Sequence, residues 1–271
     1  MIAFSNCKVN IGLNILKKRK DGFHDIETLF YPIYFVEDII EIVESSSNAD
    51  TYHFSGKKID SHLEKNLCFL TIQKMREKYK FPNIDLYLHK NVPMGAGLGG
   101  GSANVATIIK LIDKNFDLNI SQNEQIEIAS KLGSDTAFFI FNKPALGEGR
   151  GDVLSTIDLT LSPYEMLIIH PEVHISTAQA YANVKPKPAD FSLKSINEID
   201  IKDWEKHLKN DFEDSIFKIH PLLGEIKSYL YDKGAIYAQM SGSGSAIFGI
   251  FDKLPKDIST DFGKVYFGKS G

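Results

Sequence analysis

From Val9 to Ile15 the chain alternates: Val9, Ile11, Leu13 and Ile15 fall on one face, Asn10, Gly12 and Asn14 on the other. A period of two marks a half-buried strand, and it puts Lys8 on the polar face with Asn10. Lys17-Lys18-Arg19-Lys20-Asp21-Gly22 follows as a hairpin or turn whose charge run reads as a solvated loop. Residues 26–43, rich in β-branched and aromatic types, predict more strand, and 45–50 a polar loop. Residues 63–79 read as helix, with Leu67, Leu70, Thr71, Lys74 and Lys78 at helical spacing. Ile84, Leu86 and Leu88 alternate with Asp85, Tyr87 and His89, another strand. Val105, Ile108, Ile109 and Ile112 form the stripe of an amphipathic helix. Ser121 and Glu124 make a capping box for a helix over 121–132, with Gly133 as its C-cap. Beyond loops at 144–152 and 185–188, the pattern predicts strands over 164–170, 235–240 and 246–251 and helices over 202–211 and 222–230. Strands and helices mix without regular alternation, so the predicted class is α+β. A boundary at 161/162 divides the chain into expected domains 1–161 and 162–271.

Composition narrows the classes. The 271 residues, 43% hydrophobic, suffice for one large domain or two small ones. A net charge of −4 argues against a chain-wide nucleic-acid binder. Cys7 and Cys68, without a CxxC, exclude a disulfide framework, argue against a Cys-based zinc site and suit a reducing cytosol. No apolar stretch reaches the ~18 residues of a membrane helix, and the N-terminus does not read as a signal peptide. The eight histidines show no HExxH helix. What stands out is placement: five of the twenty glycines fall between Gly95 and Gly101.

That cluster, Pro93-Met94-Gly95-Ala96-Gly97-Leu98-Gly99-Gly100-Gly101-Ser102-Ala103-Asn104, sits between a predicted strand and a predicted helix. Glycines let backbone N–H groups close on a ligand, and a helix N-terminus adds partial positive charge, so together they make a phosphate cradle. Ser102, in the first helical turn, could donate to a phosphate or ligate a metal bound to it. Gly95-x-Gly97-x-x-Gly100 formally matches the dinucleotide fingerprint, but no second strand ending in an acid follows. A P-loop would need Lys beside Ser102, and a protein-kinase loop would need later VAIK and HRD motifs; both are absent from the sequence.

Pro-x-Gly-x-Gly-Leu-Gly-Gly-Gly-Ser resembles the second motif of the GHMP kinase superfamily, which phosphorylates small metabolites with ATP. Asn6-Cys7-Lys8-Val9-Asn10 is similar to its first motif, and Ala238-Gln239-Met240-Ser241-Gly242-Ser243-Gly244-Ser245-Ala246 to its third. Lys20-Asp21-Gly22-Phe23-His24-Asp25-Ile26-Glu27-Thr28-Leu29-Phe30 and Asn210-Asp211-Phe212-Glu213 resemble one branch of it. That branch phosphorylates the 2-hydroxyl of 4-diphosphocytidyl-2-C-methyl-D-erythritol in the non-mevalonate (MEP) route to isoprenoid precursors. The resemblance spans nearly the whole chain. It implies an N-terminal domain like the second domain of ribosomal protein S5 and a ferredoxin-like C-terminal α/β sandwich. It also implies ATP with Mg²⁺, Ser102 being the one candidate metal contact.

By resemblance, Lys8 and Asp135 (in Leu132-Gly133-Ser134-Asp135) match the catalytic pair. A carboxylate can take the proton of the acceptor hydroxyl while a nearby cation offsets growing charge. On local sequence alone Asp135 reads as a helix N-cap. The loop from Pro93 to Asn104 is expected to hold the nucleotide. Asn66 resembles an adenine-contacting Asn and reads equally as a helix N-cap. Asn10, Phe23, His24, Thr177, Tyr181, Gly242 and Ser243 fall at matching substrate positions, with Tyr181 as an aromatic base-stacker. Phe23 stands where the family more often has Tyr, and Arg150, in Glu148-Gly149-Arg150-Gly151-Asp152, departs from the family's string. The expected setting is bacterial cytoplasm, as monomer or homodimer, without nucleic-acid or membrane partners. Two rivals stay open: another GHMP kinase, acting on mevalonate-pathway compounds or homoserine, and a catalytically dead nucleotide-binding module.

Overall fold

The computed structural model describes residues 1–59 and 62–270. Two compact units divide the chain: one gathers Met1–Cys7, Val36–Pro93 and Gly99–Asn142, the other Lys8–Phe35, Met94–Leu98 and the chain from Lys143 onwards. Two long strands, β1 (Ile2–Lys18) and β2 (His24–Glu44), contribute residues to both.

In the first unit, β3 (Thr51–Gly56) precedes α1 (Leu67–Arg76) and β4 (Ile84–Lys90). β3 lies parallel to β4, and β4 runs antiparallel to the end of β2, from Ile39 opposite His89 to Glu44 opposite Ile84. Three more helices complete it: α2 (Gly100–Asn115), α3 (Gln122–Ser130) and α4 (Thr136–Phe141). α2 buries the expected stripe, Val105, Ile108, Ile109 and Ile112.

The helix expected over 63–79 is broken into a short 3-10 turn at Leu63–Lys65 and α1. Asn66 causes the break: its backbone is extended and its side chain accepts the Cys68 N–H at 2.8 Å. The buried face is accordingly Cys68, Thr71, Ile72 and Met75. The capping box of α3 forms, Ser121 Oγ accepting the Glu124 N–H at 3.4 Å and donating to its carboxylate at 3.1 Å. Gly133 is not the C-cap, because Lys131 ends the helix in a right-handed conformation. The short α4, which the sequence did not announce, follows that turn, and Thr136 Oγ1 donates back to the Ala129 carbonyl at 2.6 Å.

Asp38 and Lys90 form a buried ion pair at the end of β4, 0% and 3% exposed. The other Asp38 oxygen accepts the N–H groups of Asn91 (2.7 Å) and Val92 (2.8 Å). One carboxylate therefore shapes the exit into the glycine loop. Removing either partner would strand a buried charge, at about 3–5 kcal/mol.

In the second unit, the first half of β2 pairs antiparallel with β5 (Ala145–Glu148), which pairs with β6 (Val153–Thr156). The chain continues through β7 (Glu165–His170), α5 (Thr177–Ala182), α6 (Trp204–His207), α7 (Glu213–Ile219), α8 (Pro221–Asp232), β8 (Tyr237–Met240), β9 (Ile247–Phe251) and β10 (Lys264–Lys269). The order β10-β7-β9-β8 is antiparallel throughout. α8 packs on β8 and β9 through Leu223, Ile226 and Leu230. Leu13, Ile15 and Ile26 join that same core with Leu167, Ile169 and Phe212.

The helix expected over 202–211 shrinks to a 3-10 turn at Ile201–Asp203 and the single turn of α6. Backbone pairing wins there: Leu13 N–H donates to Lys209 O at 2.8 Å and Asp211 N–H to Leu13 O at 2.9 Å. The charge run is solvated as expected, with Lys17, Lys18 and Lys20 exposed, but it is not all loop. Lys17 and Lys18 belong to β1, and Arg19 pairs with Asp21 (3.0 Å) and Asp25 (2.8 Å). No helix among the described residues is long and apolar enough to cross a membrane.

Candidate active site

Strand alternation puts Lys8 and Asn10 on one face of β1, as expected, and both are 3% exposed. The Lys8 N–H donates to Leu98 O at 2.9 Å, and its Nζ donates to Gly97 O at 2.7 Å and to Asn10 Oδ1. The Phe30 ring lies 5.5 Å from the ammonium. A buried cation is thus held against the glycine loop, where it can act only on a ligand that comes close. Asn10 is fixed in turn: its N–H donates to Ser241 Oγ at 3.1 Å and its Nδ2 to Thr28 Oγ1 at 3.0 Å.

The third glycine motif closes on the first half of the loop. Ser241 Oγ donates to Gly97 O at 2.9 Å, and Ala246 N–H donates to Ala96 O at 3.1 Å. The approach is tight enough to require glycine. At Gly97, with φ +77°, a Cβ would lie 1.9 Å from Ser241 O. At Gly242 a Cβ would sit 3.1 Å from Asn10 Oδ1. Lys8, Asn10, Gly97 and Gly242 therefore come together in the second unit, with Ser243 following on a half-buried position. Sequence reasoning missed the braces: Ser241, Thr28 and Asn210, whose Nδ2 donates to the carbonyls of Met240 and Gly242 at 2.8 Å each. Their signal was present in the strings around them but assigned to no role.

The second half of the loop starts α2. Gly99, at φ +70°, occupies the N-cap and offers no side-chain cap to the first N–H groups. A Cβ at Gly100 would meet Val92 at 2.8 Å and Lys90 Nζ at 3.0 Å, so the strand exit and helix start are packed together. Uncapped N–H groups on a 16-residue helix behind left-handed glycines fit a phosphate group. Asn104 is 2% exposed with its side-chain oxygen buried and without a hydrogen-bond partner. Ser102 belongs to this turn, 3.8 Å from where a Gly133 Cβ would stand. It is a hard oxygen donor suited to a Mg²⁺ that arrives on phosphates.

Asp135 follows Gly133 and stands at the N-cap of α4, but its side chain makes no capping hydrogen bond. The cap role suggested by local sequence is not what its carboxylate does. Asn66 does cap, through Oδ1. Within the loop Pro93 and Leu98 are buried, while Met94 is 43% exposed.

His24 and Tyr181 stack at 4.7 Å with planes 19° apart, and Phe212 meets Tyr181 edge-on at 4.9 Å. Thr177, exposed at the start of α5, lies one turn before Tyr181 on the same face. Burial and the charge of Lys18 push the His24 imidazole below its ordinary pKa, favouring the neutral ring. Phe23, at the hairpin tip, is 53% exposed.

Two family models match: GHMP kinases N terminal domain over residues 66–143 and GHMP kinases C terminal over 192–264. The chain is 44% identical, over 264 residues covering 97% of it and 96% of the relative, to 4-diphosphocytidyl-2-C-methyl-D-erythritol kinase of Bacteroides fragilis. It is 44% identical over 271 residues, 98% of each chain, to the protein of that name in Bacteroides thetaiotaomicron. A crystal structure of a 4-(cytidine 5'-diphospho)-2C-methyl-D-erythritol kinase superposes with a TM-score of 0.77 at 26% identity, covering 92% of this chain and 90% of that one. Mevalonate kinase of Methanococcus jannaschii shares the fold alone, with a TM-score of 0.68 at 14% identity over 93% of this chain and 90% of that one.

Proposed function

The chain belongs to the GHMP kinases, and within them to the 4-diphosphocytidyl-2-C-methyl-D-erythritol kinases, and on that footing we propose that Lys8 and Asp135 are the pair that moves a phosphoryl group from ATP to the 2-hydroxyl of 4-diphosphocytidyl-2-C-methyl-D-erythritol. The observation that carries the assignment is Lys8: a nearly fully buried ammonium held on the glycine-loop carbonyl of Gly97 beside Asn10. A cation held at a phosphate loop is placed to stabilise charge that develops there.

In this mechanism the N–H groups from Gly95 to Ser102 hold the ATP phosphates, and Asn66 lies toward adenine. Ser102 would be the protein's contact to a Mg²⁺ bound with the nucleotide, which would supply neutralisation of phosphate charge. Asp135 accepts the proton of the acceptor hydroxyl as its oxygen attacks phosphorus. Lys8 offsets charge on the transferring group. Phe23, His24, Thr177 and Tyr181 hold the cytosine, where a neutral His24 can donate or accept at a base edge. Asn10, Gly242 and Ser243 line the path of the acceptor. The bacterial relatives support a bacterial cytoplasmic setting as part of the same proposal.

The test is ADP release by purified protein with Mg-ATP and each of the cytidyl substrate, mevalonate and homoserine. Release with the cytidyl substrate alone is expected. Release only with mevalonate or homoserine would overturn the substrate, and ATP binding without any release would leave a dead nucleotide-binding module.

A further inference from the structure

Arg150 has no part in the chemistry described so far, yet its placement is tightly determined. Its guanidinium lies over the Phe23 ring, 5.1 Å from the centroid. It is fixed there from two sides. Arg150 Nη2 and Nε donate to Asp152 Oδ2 at 2.9 and 3.1 Å, and its N–H donates to Asp152 Oδ1 at 3.0 Å. The turn that bears it is tied to the base of the β1–β2 hairpin, because the Ile26 N–H donates to Gly149 O at 2.7 Å.

The hairpin tip under the guanidinium is equally constrained. Arg19 N–H donates to Phe23 O at 2.8 Å, and Phe23 N–H donates to Asp21 Oδ1 at 3.1 Å. Gly22, at φ +88°, makes the turn. A ring 53% exposed on a hairpin tip would normally sample several rotamers, and a planar cation on one face restrains it. Since Asp152 already matches the charge of Arg150, this guanidinium is better suited to stacking than to binding a second anion.

We propose that Arg150 is a positioning residue for base recognition: it covers one face of Phe23 and so holds the opposite face ready for the cytosine of the substrate. The proposal rests on the reading that the chain phosphorylates a cytidyl substrate.

The experiment is steady-state kinetics of wild type, Arg150→Ala, Arg150→Lys, Phe23→Ala and the double Ala variant, at low and high salt. Arg150→Ala should raise the KM for the cytidyl substrate about two- to fivefold, the range of a partly exposed cation–π contact. Its kcat and its KM for ATP should stay within about twofold. Lys keeps the charge but not the plane and should restore part of the loss. In the Phe23→Ala background, removing Arg150 should add nothing, because the ring it supports is gone. Calorimetric titration with cytidine 5'-diphosphate should show the same fold-loss without any catalytic step. A fall in kcat, or an equal, salt-sensitive effect in the Phe23→Ala background, would overturn the proposal in favour of direct phosphate contact. A wild type that ignores the cytidyl substrate would defeat the functional reading itself; an active wild type with an indifferent Arg150→Ala would defeat only the positioning role.

Discussion

Asp135 shows how little local sequence says about a carboxylate's work. Following a glycine and opening a short helix, it has the look of a cap, and its side chain does not cap. If it is the base, Asp135→Asn should lower turnover by about 10²- to 10⁴-fold while ATP affinity, read by calorimetry, stays nearly unchanged. A near-wild-type rate would remove it from catalysis. His24 makes a prediction of a different kind. Burial, then the Lys18 charge, lowers its pKa, so the neutral ring is favoured in the folded hairpin. What the neutral ring contributes is fully present above about 6.5, the ordinary histidine value, and is lost as pH falls through the lowered one. The KM for the cytidyl substrate should therefore be flat above neutrality and rise in acid, and His24→Asn should flatten that acid limb. A KM that rose instead on the alkaline side would contradict a neutral His24 at the base.

At the scale of elements, the glycine loop is held in shape by two other segments that close on it. Gly97→Ala would push a Cβ to within 1.9 Å of Ser241 O and also strain a left-handed backbone. Displacing the loop by the needed ångström should cost about a hundredfold in activity or more. Gly22→Ala is the control for strain without collision, since nothing lies within 4 Å of the added Cβ at φ +88°. It should cost only about 1–2 kcal/mol in urea unfolding. The third motif has its own brace in Asn210. Asn210→Ala removes the donors to Met240 O and Gly242 O in a buried place, so a loss of about 2–4 kcal/mol is expected in urea unfolding. An Asn210→Ala protein as stable as wild type would show that water replaces the amide there. The expected helix over 202–211 failed at this same spot. Helical propensity there is weaker than the demand of Leu13 for backbone partners.

For the whole molecule, the expected boundary at 161/162 can be put to a folding test. Leu13, Ile15 and Ile26 pack in one core with Leu167, Ile169, Phe212 and Ile216. A fragment of residues 1–161 should leave those three side chains exposed, bind a hydrophobic dye and associate. Two fragments that each melted cooperatively as monomers would show instead that the cut separates independent folding units. Period-two and helical patterning identified most of the strands and α2 from sequence alone, because burial on one face leaves its mark in every second or every third-to-fourth residue. The clustered glycines likewise marked a segment of close backbone approach, which the contacts at Gly97 and Gly100 show. The motif order, read as resemblance, carried the family, and the family models and relatives bear it out. Other features were decided by contacts between residues far apart in the chain. Among them are the Ser241 hydroxyl on Gly97, the buried Asp38–Lys90 pair, the Asn210 brace and the guanidinium of Arg150 on Phe23. Such contacts leave no periodicity behind. A single polar side chain satisfied across 30 or 144 residues looks, in sequence, like any exposed one, and only the folded chain shows which carbonyl it was placed to meet.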